Sequence, residues 1–273
     1  MNFNKVTLKK ELIETIHKVN NQQQGVTTFF DNLIIQEGQP YFTNENNGDL
    51  NKNSVLQKAL FSLNTTSYKR YSKINDRVTN YFRSDLDGYS RLCSQGVREV
   101  FQWKNKPLFK SVYDLAVYQM MLQKIKPATI IEIGSTEGSL YWLSDMVSIL
   151  DLNSKIIGLD HKHPATVPKE VKFLEGDIKN ISNLLSLEFT NSLPRPLLII
   201  EDAHVYLEDL LKHLDCIMKE QDYLVIEDSL IKQSIIMDWS NSIKSTYLID
   251  NYFTDFFGIN GTTATNSILI KSG

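Results

Sequence analysis

The chain has 273 residues, 42% hydrophobic and 22% charged, which is enough to bury a full core and more than one minimal doubly wound domain requires. Its formal charge is −3, with acidic and basic residues interspersed, so no basic face is available to neutralise a phosphate backbone, and nucleic acid is not an expected partner. Two cysteines, Cys93 and Cys216, make neither a disulfide framework nor a CxxC zinc site; they point to a reducing cytoplasm, and no apolar run of membrane-spanning length or signal-peptide core interrupts the chain.

Leu8, Leu12, Ile13, Ile16 and Val19 recur at helical spacing among charged residues, predicting an amphipathic helix that packs on the rest of the chain or on a second copy. An Asn-, Gln- and Gly-rich stretch follows, with short strand candidates at Thr27 to Ile35 and Tyr41 to Thr43. Val55 to Leu63 and Ile74 to Tyr89 read as helical. Residues 1–100 are therefore expected to form a mainly helical cap serving substrate selection or assembly.

From Val112 onward, short β-branched runs alternate with helical stretches, as repeated βα units require. Strands are expected at Thr129 to Ile133, Ile156 to Leu159, Val171 to Leu174, Leu197 to Ile200 and Tyr223 to Ile226, nearly all apolar because both faces of a parallel sheet are covered. Helices are expected at Ser139 to Leu150, Ile178 to Phe189 and Leu207 to Lys219. Tyr247 to Phe253 and Ser267 to Ile270 complete the picture as a closing antiparallel hairpin. The fold class is thus α/β, a Rossmann-like and mostly parallel sheet over residues 101–273.

The first expected strand runs into Gly134-Ser135-Thr136-Glu137-Gly138-Ser139, a glycine-bearing turn into a helix. Its GxxxG spacing departs from the dinucleotide GxGxxG, which disfavours a nicotinamide cofactor. Glu132, Asp160 and Asp177 fall at or beside the carboxyl ends of the first three strands, where open α/β sheets bind ligands. Asp160 is placed to accept from ribose hydroxyls, Asp177 to receive an adenine amine, and His161 to line the same pocket. Glu132, Gly134, Ser135, Gly138, Ser139, Asp160, His161, Asp177 and Asp202 are therefore the candidate S-adenosylmethionine contacts.

The fourth and fifth strands run into Glu201-Asp202-Ala203-His204 and Glu227-Asp228-Ser229. Carboxylate pairs at two strand ends on one sheet edge suit a hard cation such as Mg²⁺ or Mn²⁺, with Asp202, Glu227 and Asp228 as ligands. His204, two residues beyond Asp202, is the candidate general base for a substrate hydroxyl.

Together these elements resemble the family named after cephalosporin hydroxylase. The resemblance rests on Trp103 through Lys110, Asp114, Tyr118-Gln119, Lys126-Pro127, Glu132-Ile133-Gly134, Gly158-Leu159-Asp160, Gly176-Asp177, Asp202-Ala203-His204 and Asp222-Tyr223 through Glu227-Asp228. It implies a class I methyltransferase fold, Mg²⁺ at Asp202, Glu227 and Asp228, and O-methylation of a hydroxylated small molecule, free or carrier-tethered, sugars among them. Glu137 stands where relatives often carry a bulkier or basic residue. The competing expectation is a non-catalytic subunit of a biosynthetic assembly that keeps the fold without the chemistry.

Overall fold

The computed structural model describes residues 69–78, 84, 86 and 93–273, together with the backbone of two short strands nearer the N-terminus. The chain divides into two compact units, Met1–Lys69 and Arg70–Gly273. In the first, β1 (Leu33–Gln36) and β2 (Gln39–Phe42) pair antiparallel. The helices expected around Leu8 to Val19 and Val55 to Leu63 lie outside the described residues.

The second unit opens with β3 (Tyr71–Lys73) and the single helical turn α1 (Ile74–Arg77). Sequence periodicity had predicted a helix from Ile74 to Tyr89; among the described residues only this turn is helical, and Tyr71–Lys73 is strand because it pairs with the far end of the chain. A small hairpin, β4 (Gln102–Trp103) and β5 (Lys106–Pro107), leads to α2 (Val112–Ile125), whose N-cap Ser111 accepts from the Asp114 amide.

The βα units then follow: β6 (Thr129–Ile133), α3 (Glu137–Ile149), β7 (Lys155–Asp160), β8 (Val171–Glu175), α4 (Ile181–Leu184), α5 (Leu187–Asn191), β9 (Leu197–Glu201), α6 (Leu207–Ile217), β10 (Tyr223–Ile226) and α7 (Gln233–Ser242). The chain finishes with β11 (Tyr247–Asp250), α8 (Asn251–Thr254) and β12 (Ile268–Lys271). Two expected elements are shorter than their patterns suggest. The Ile178 to Phe189 stretch breaks at Leu185, because Ser186 accepts from the Phe189 amide and starts a new helix. The Tyr247 to Phe253 strand stops at Asp250, whose carboxylate accepts from the Tyr252 amide and caps α8.

All main strands share one sheet in the order β3-β11-β12-β10-β9-β6-β7-β8. β10, β9, β6, β7 and β8 are parallel, while β12, β11 and β3 run antiparallel along one side. The expected closing hairpin is present, with β12 wedged between β11 and β10.

Successive strand residues point to opposite faces, and the core follows that alternation. Ile131, Ile133, Leu197, Ile199, Leu224 and Ile226 pack with Leu207, Leu210, Leu211, Leu214 and Ile217 of α6 and Ile236 and Trp239 of α7. Ile130, Leu198, Ile200, Tyr223 and Val225 pack on the other face with Val117, Tyr118, Met121 and Leu122 of α2 and Leu140, Trp142 and Leu143 of α3. Among the described residues, no helix is long and apolar enough to cross a membrane.

The chain begins the parallel set at β6, builds β7 and β8 on one side, then returns to lay β9 and β10 on the other. That reversal opens a crevice beyond the carboxyl ends of β6 and β9, the place where doubly wound sheets bind ligands.

Candidate active site

Two glycines shape the turn after β6, and both answer to the protein's own backbone. Gly134 has φ +87°, and a Cβ there would lie 2.6 Å from the Ala203 nitrogen and the Asp202 carbonyl carbon. Only glycine allows the turn to pass so close to the loop after β9. A Cβ on Gly138 would fall 2.0 Å from the Pro107 carbonyl oxygen, so its bare α-carbon seats the β4–β5 hairpin on α3. Thr136 and Ser139 form a reciprocal capping box at the start of α3. Ser135 is buried and donates to the Leu159 carbonyl. Glu137 accepts from the Thr166 amide at 2.6 Å and pairs with Lys106, tying the loop after β7 to this turn.

Of the other expected cofactor contacts, Asp160 stands at the end of β7 and, among the described residues, engages Oδ1 with the Lys162 amide at 3.2 Å and His161 Nδ1 at 2.6 Å. His161 itself is largely exposed. Asp177 caps the 3-10 turn Ile178–Asn180 by accepting from the Lys179 amide at 2.9 Å, a local role that accounts for an acidic residue there. Glu132 is fully buried; its Oε2 accepts from Ser139 Oγ at 2.6 Å.

The two acidic pairs follow β9 and β10, and their members do different work. The first member of each pair is buried against a lysine. Glu201 Oε2 accepts from Lys232 Nζ at 2.8 Å, while its Oε1 accepts from the Ala203 and His204 amides and so shapes the loop after β9. Glu227 Oε1 accepts from Lys110 Nζ at 2.7 Å and Tyr118 Oη at 2.5 Å. The second members, Asp202 and Asp228, reach the sheet edge with His204, and one ligand atom from each of the three lies within 4.8 Å of the others. His204 Nε2 is 3.1 Å from Asp202 Oδ1 and 3.5 Å from Asp228 Oδ2. His204, Tyr206 and Asp228 all hold positive φ without being glycine, the backbone strain that clusters at functional edges.

The sequence pattern points to Asp202, Glu227 and Asp228 together; the structure sets His204 beside Asp202 and Asp228, while Glu227, held by Lys110 and Tyr118, shares the Lys110 ammonium with Asp202. The carboxylates of Asp202 and Asp228 are hard oxygen donors that fit Mg²⁺ or Mn²⁺, with positions left for water or substrate oxygens.

Lys110 is the site residue that sequence reasoning passed over. Its buried ammonium lies 2.7 Å from Glu227, 3.1 Å from Asp202 Oδ2 and 3.2 Å from Glu132 Oε1. Burial alone would lower its pKa, but the charges of Glu227, Asp202 and Glu132 outweigh that and hold it well above the usual lysine value. Burial pushes both Glu132 and Glu227 upward, and the Asp202 charge adds to the rise at Glu227. Asp202 moves down instead, since Lys110 and the His204 hydrogen bond more than offset its burial. The hydrogen bond to Asp202 raises His204 above the ordinary imidazole value against a smaller effect of burial. A lysine isolated in a stretch of mixed residues carries no signal of this role; only the topology brings it to three strand ends.

A central parallel sheet with a switch point between β6 and β9, acidic strand ends and an antiparallel side is a Rossmann-like fold of the class I methyltransferase type. The chain belongs to the rhamnosyl O-methyltransferase/CmcI family, whose model matches residues 95–242. This is the same family as the cephalosporin hydroxylase group that the motifs resemble. Among curated proteins, rhamnosyl O-methyltransferases of Mycobacterium tuberculosis and Mycobacterium bovis are 28% identical over 135 residues, 45% of this chain and 54% of theirs. The chain thus spans about half the length of the curated relatives it matches. Among solved structures, the apo form of CmcI superposes with a TM-score of 0.53 at 23% identity, covering 76% of this chain and 88% of that one. A CmcI structure with Mg and SAM gives 0.52 at 23% identity over the same shares.

Proposed function

We propose that the protein is a metal-dependent S-adenosylmethionine O-methyltransferase acting on a hydroxyl group of a small molecule, with a sugar hydroxyl as the leading acceptor. The observation that carries this reading is the convergence of Asp202, His204 and Asp228 at the switch-point crevice, directly beside the Gly134 turn. Family membership and the mycobacterial rhamnosyl O-methyltransferases support the choice of acceptor. The CmcI structure that contains Mg and SAM supports the choice of cofactors.

In this reading, the Glu132–Gly138 turn and the free Oδ2 of Asp160 hold the cofactor's amino-acid and ribose ends. S-adenosylmethionine bound there supplies a sulfonium methyl, which passes to the acceptor oxygen with release of S-adenosylhomocysteine. Asp202 and Asp228 would hold a divalent ion, whose charge would lower the pKa of the acceptor hydroxyl. His204 would take the hydroxyl proton, and Asp202 Oδ1, 3.1 Å from Nε2, would stabilise the imidazolium that results. Asp202 is kept ionised by Lys110 throughout. The residues before Phe101 would contribute to acceptor selection or assembly, and the acceptor would be presented free or on a carrier. Cytoplasmic residence accords with two unpaired cysteines.

Calorimetric titration with S-adenosylmethionine, NAD and Mn²⁺, followed by methyl transfer to a panel of rhamnosides, tests the assignment. Binding of S-adenosylmethionine and Mn²⁺ but not NAD is expected. A folded protein that binds neither S-adenosylmethionine nor Mn²⁺ would instead be a methyltransferase-like subunit without chemistry.

A further inference from the structure

We infer that Lys110 is a positioning residue that couples the cofactor turn to the metal group, so that occupancy of one strengthens the other. The inference rests on the functional reading above and adds a link between its two halves. Lys110 leaves the chain between β5 and α2, is buried, and directs its ammonium at carboxylates from three different strand ends: Glu132 after β6, Asp202 after β9 and Glu227 after β10. An ammonium has three N–H donors and no acceptor; two are given to Glu227 and Asp202, and Glu132 Oε1 lies 3.2 Å away.

A chain of contacts then runs through the site. Asp202 offers Oδ1 toward His204 at 3.1 Å and gives Oδ2 to Lys110 at 3.1 Å. Lys110 lies 3.2 Å from Glu132 Oε1, without the alignment of a hydrogen bond. The other oxygen of Glu132 accepts from Ser139 Oγ at 2.6 Å, and that same Ser139 Oγ accepts from the Thr136 amide at 3.0 Å. Thr136 and Ser139 cap α3 and fix the turn that begins at Gly134. The ammonium is thus shared between the metal carboxylate and the carboxylate that braces the cofactor turn.

When a divalent cation draws the charge of Asp202, the ammonium is attracted less by Asp202 and more by Glu132, whose alignment with it is incomplete. Better alignment at Glu132 holds Ser139 and the turn more firmly, so the cofactor meets a turn already ordered. By linkage, the cofactor must strengthen cation binding by the same factor.

The test uses the full chain, with S-adenosylhomocysteine as the cofactor probe because its sulfur is uncharged and does not repel the cation directly. Its affinity is measured calorimetrically with and without saturating Mn²⁺. Wild type is expected to bind it about fivefold or more tightly with Mn²⁺, within the range typical of site coupling. In Lys110→Met the ratio should fall below about twofold, whereas Lys110→Arg, which keeps the charge, should retain most of it. Ser139→Ala cuts the chain on the cofactor side while leaving Lys110 and its contacts to Asp202 and Glu227 in place, and should also fall below about twofold; it carries the test if Lys110→Met does not fold.

An unchanged ratio in Lys110→Met, or in Ser139→Ala where that variant carries the test, overturns the inference and assigns the coupling to the backbone contact between Gly134 and Ala203. A wild-type ratio of one overturns it as well. Both results leave the methyltransferase reading standing, because the two ligands still bind. Wild type that binds neither probe refutes that reading and the inference with it.

Discussion

Replacing Gly134 by alanine adds one methyl group at the closest approach between the cofactor turn and the metal loop. The new Cβ would sit 2.6 Å from the Ala203 nitrogen and the Asp202 carbonyl carbon, about 0.8 Å inside the 3.4 Å at which ordinary contact begins. Both neighbours are backbone, so neither can swing aside as a side chain would. The residue must also hold φ +87°, which costs an L-amino acid about 1–2 kcal/mol. Overpacking against backbone adds about 1–3 kcal/mol, for a total of about 2–5 kcal/mol. With a urea m-value of about 2 kcal/mol/M, the unfolding midpoint should drop by about 1–2.5 M. Relief of the clash pushes Asp202 away from Asp228 and His204, and a misplacement of about 1 Å at such a site is worth about 10²-fold in turnover. Urea unfolding followed by circular dichroism, and Mn²⁺ titration of the folded variant, measure the two effects separately. A Gly134→Ala protein with its midpoint shifted by less than about 0.3 M and with wild-type Mn²⁺ affinity would refute the reasoning.

Four further outcomes are expected. Asp228→Ala should abolish measurable Mn²⁺ binding while S-adenosylhomocysteine affinity without metal stays within about threefold, since Asp228 lies beside the turn and not in it; a joint loss of both in folded protein would contradict this. His204 has its pKa raised by Asp202, so its imidazolium persists above the ordinary value of about 6.5 and competes with a cation between the same carboxylates. Mn²⁺ affinity, and turnover if His204 is the base, should therefore rise with pH through a midpoint above about 6.5; His204→Ala should flatten that dependence and lower kcat by about 10²- to 10⁴-fold while Mn²⁺ affinity at high pH holds, and loss of the cation instead would make His204 a ligand. Leu211→Ala removes a fully buried side chain between α6 and the sheet and should cost about 2–5 kcal/mol by urea denaturation. Arg77→Met should cost about 2–3 kcal/mol, because Arg77 holds Asp255 through two hydrogen bonds and also binds Asn251, Asn260 and Asn266; a change below about 0.5 kcal/mol would deny it that role.

The parallel half of the sheet was legible because its strands are buried on both faces and read as unbroken apolar runs such as Thr129–Ile133 and Leu197–Glu201. The acidic strand ends were legible for the same reason, since a carboxylate directly after such a run must stand at the sheet edge. Which way each carboxylate faces was harder to see. Glu227 and Asp228 are adjacent in sequence, yet the chain leaves β10 at Ile226 and turns left-handed at Asp228, so one meets Lys110 and the other His204. Lys110 and β3 were missed because their partners are remote: Lys110 meets Glu227 across 117 positions, and Tyr71 pairs with Asp250. No local periodicity encodes such contacts. Asp177, expected to meet an adenine amine, also caps the 3-10 turn Ile178–Asn180.

The placement of β12 has a kinetic consequence. The strands β6 to β10 lie within 98 positions in sequence, and neighbours such as β6 and β7 can pair early. The remaining strip cannot close until Ile268–Lys271 has been synthesised, because β12 separates β10 from β11, and β11 in turn carries β3 from residues 71–73. Until then β10 presents an unpaired apolar edge, Tyr223–Ile226, of the kind that recruits other strands. A nascent chain arrested before residue 268 should therefore bind chaperones or aggregate. Release of the last strand should be the event that commits the domain to its folded state.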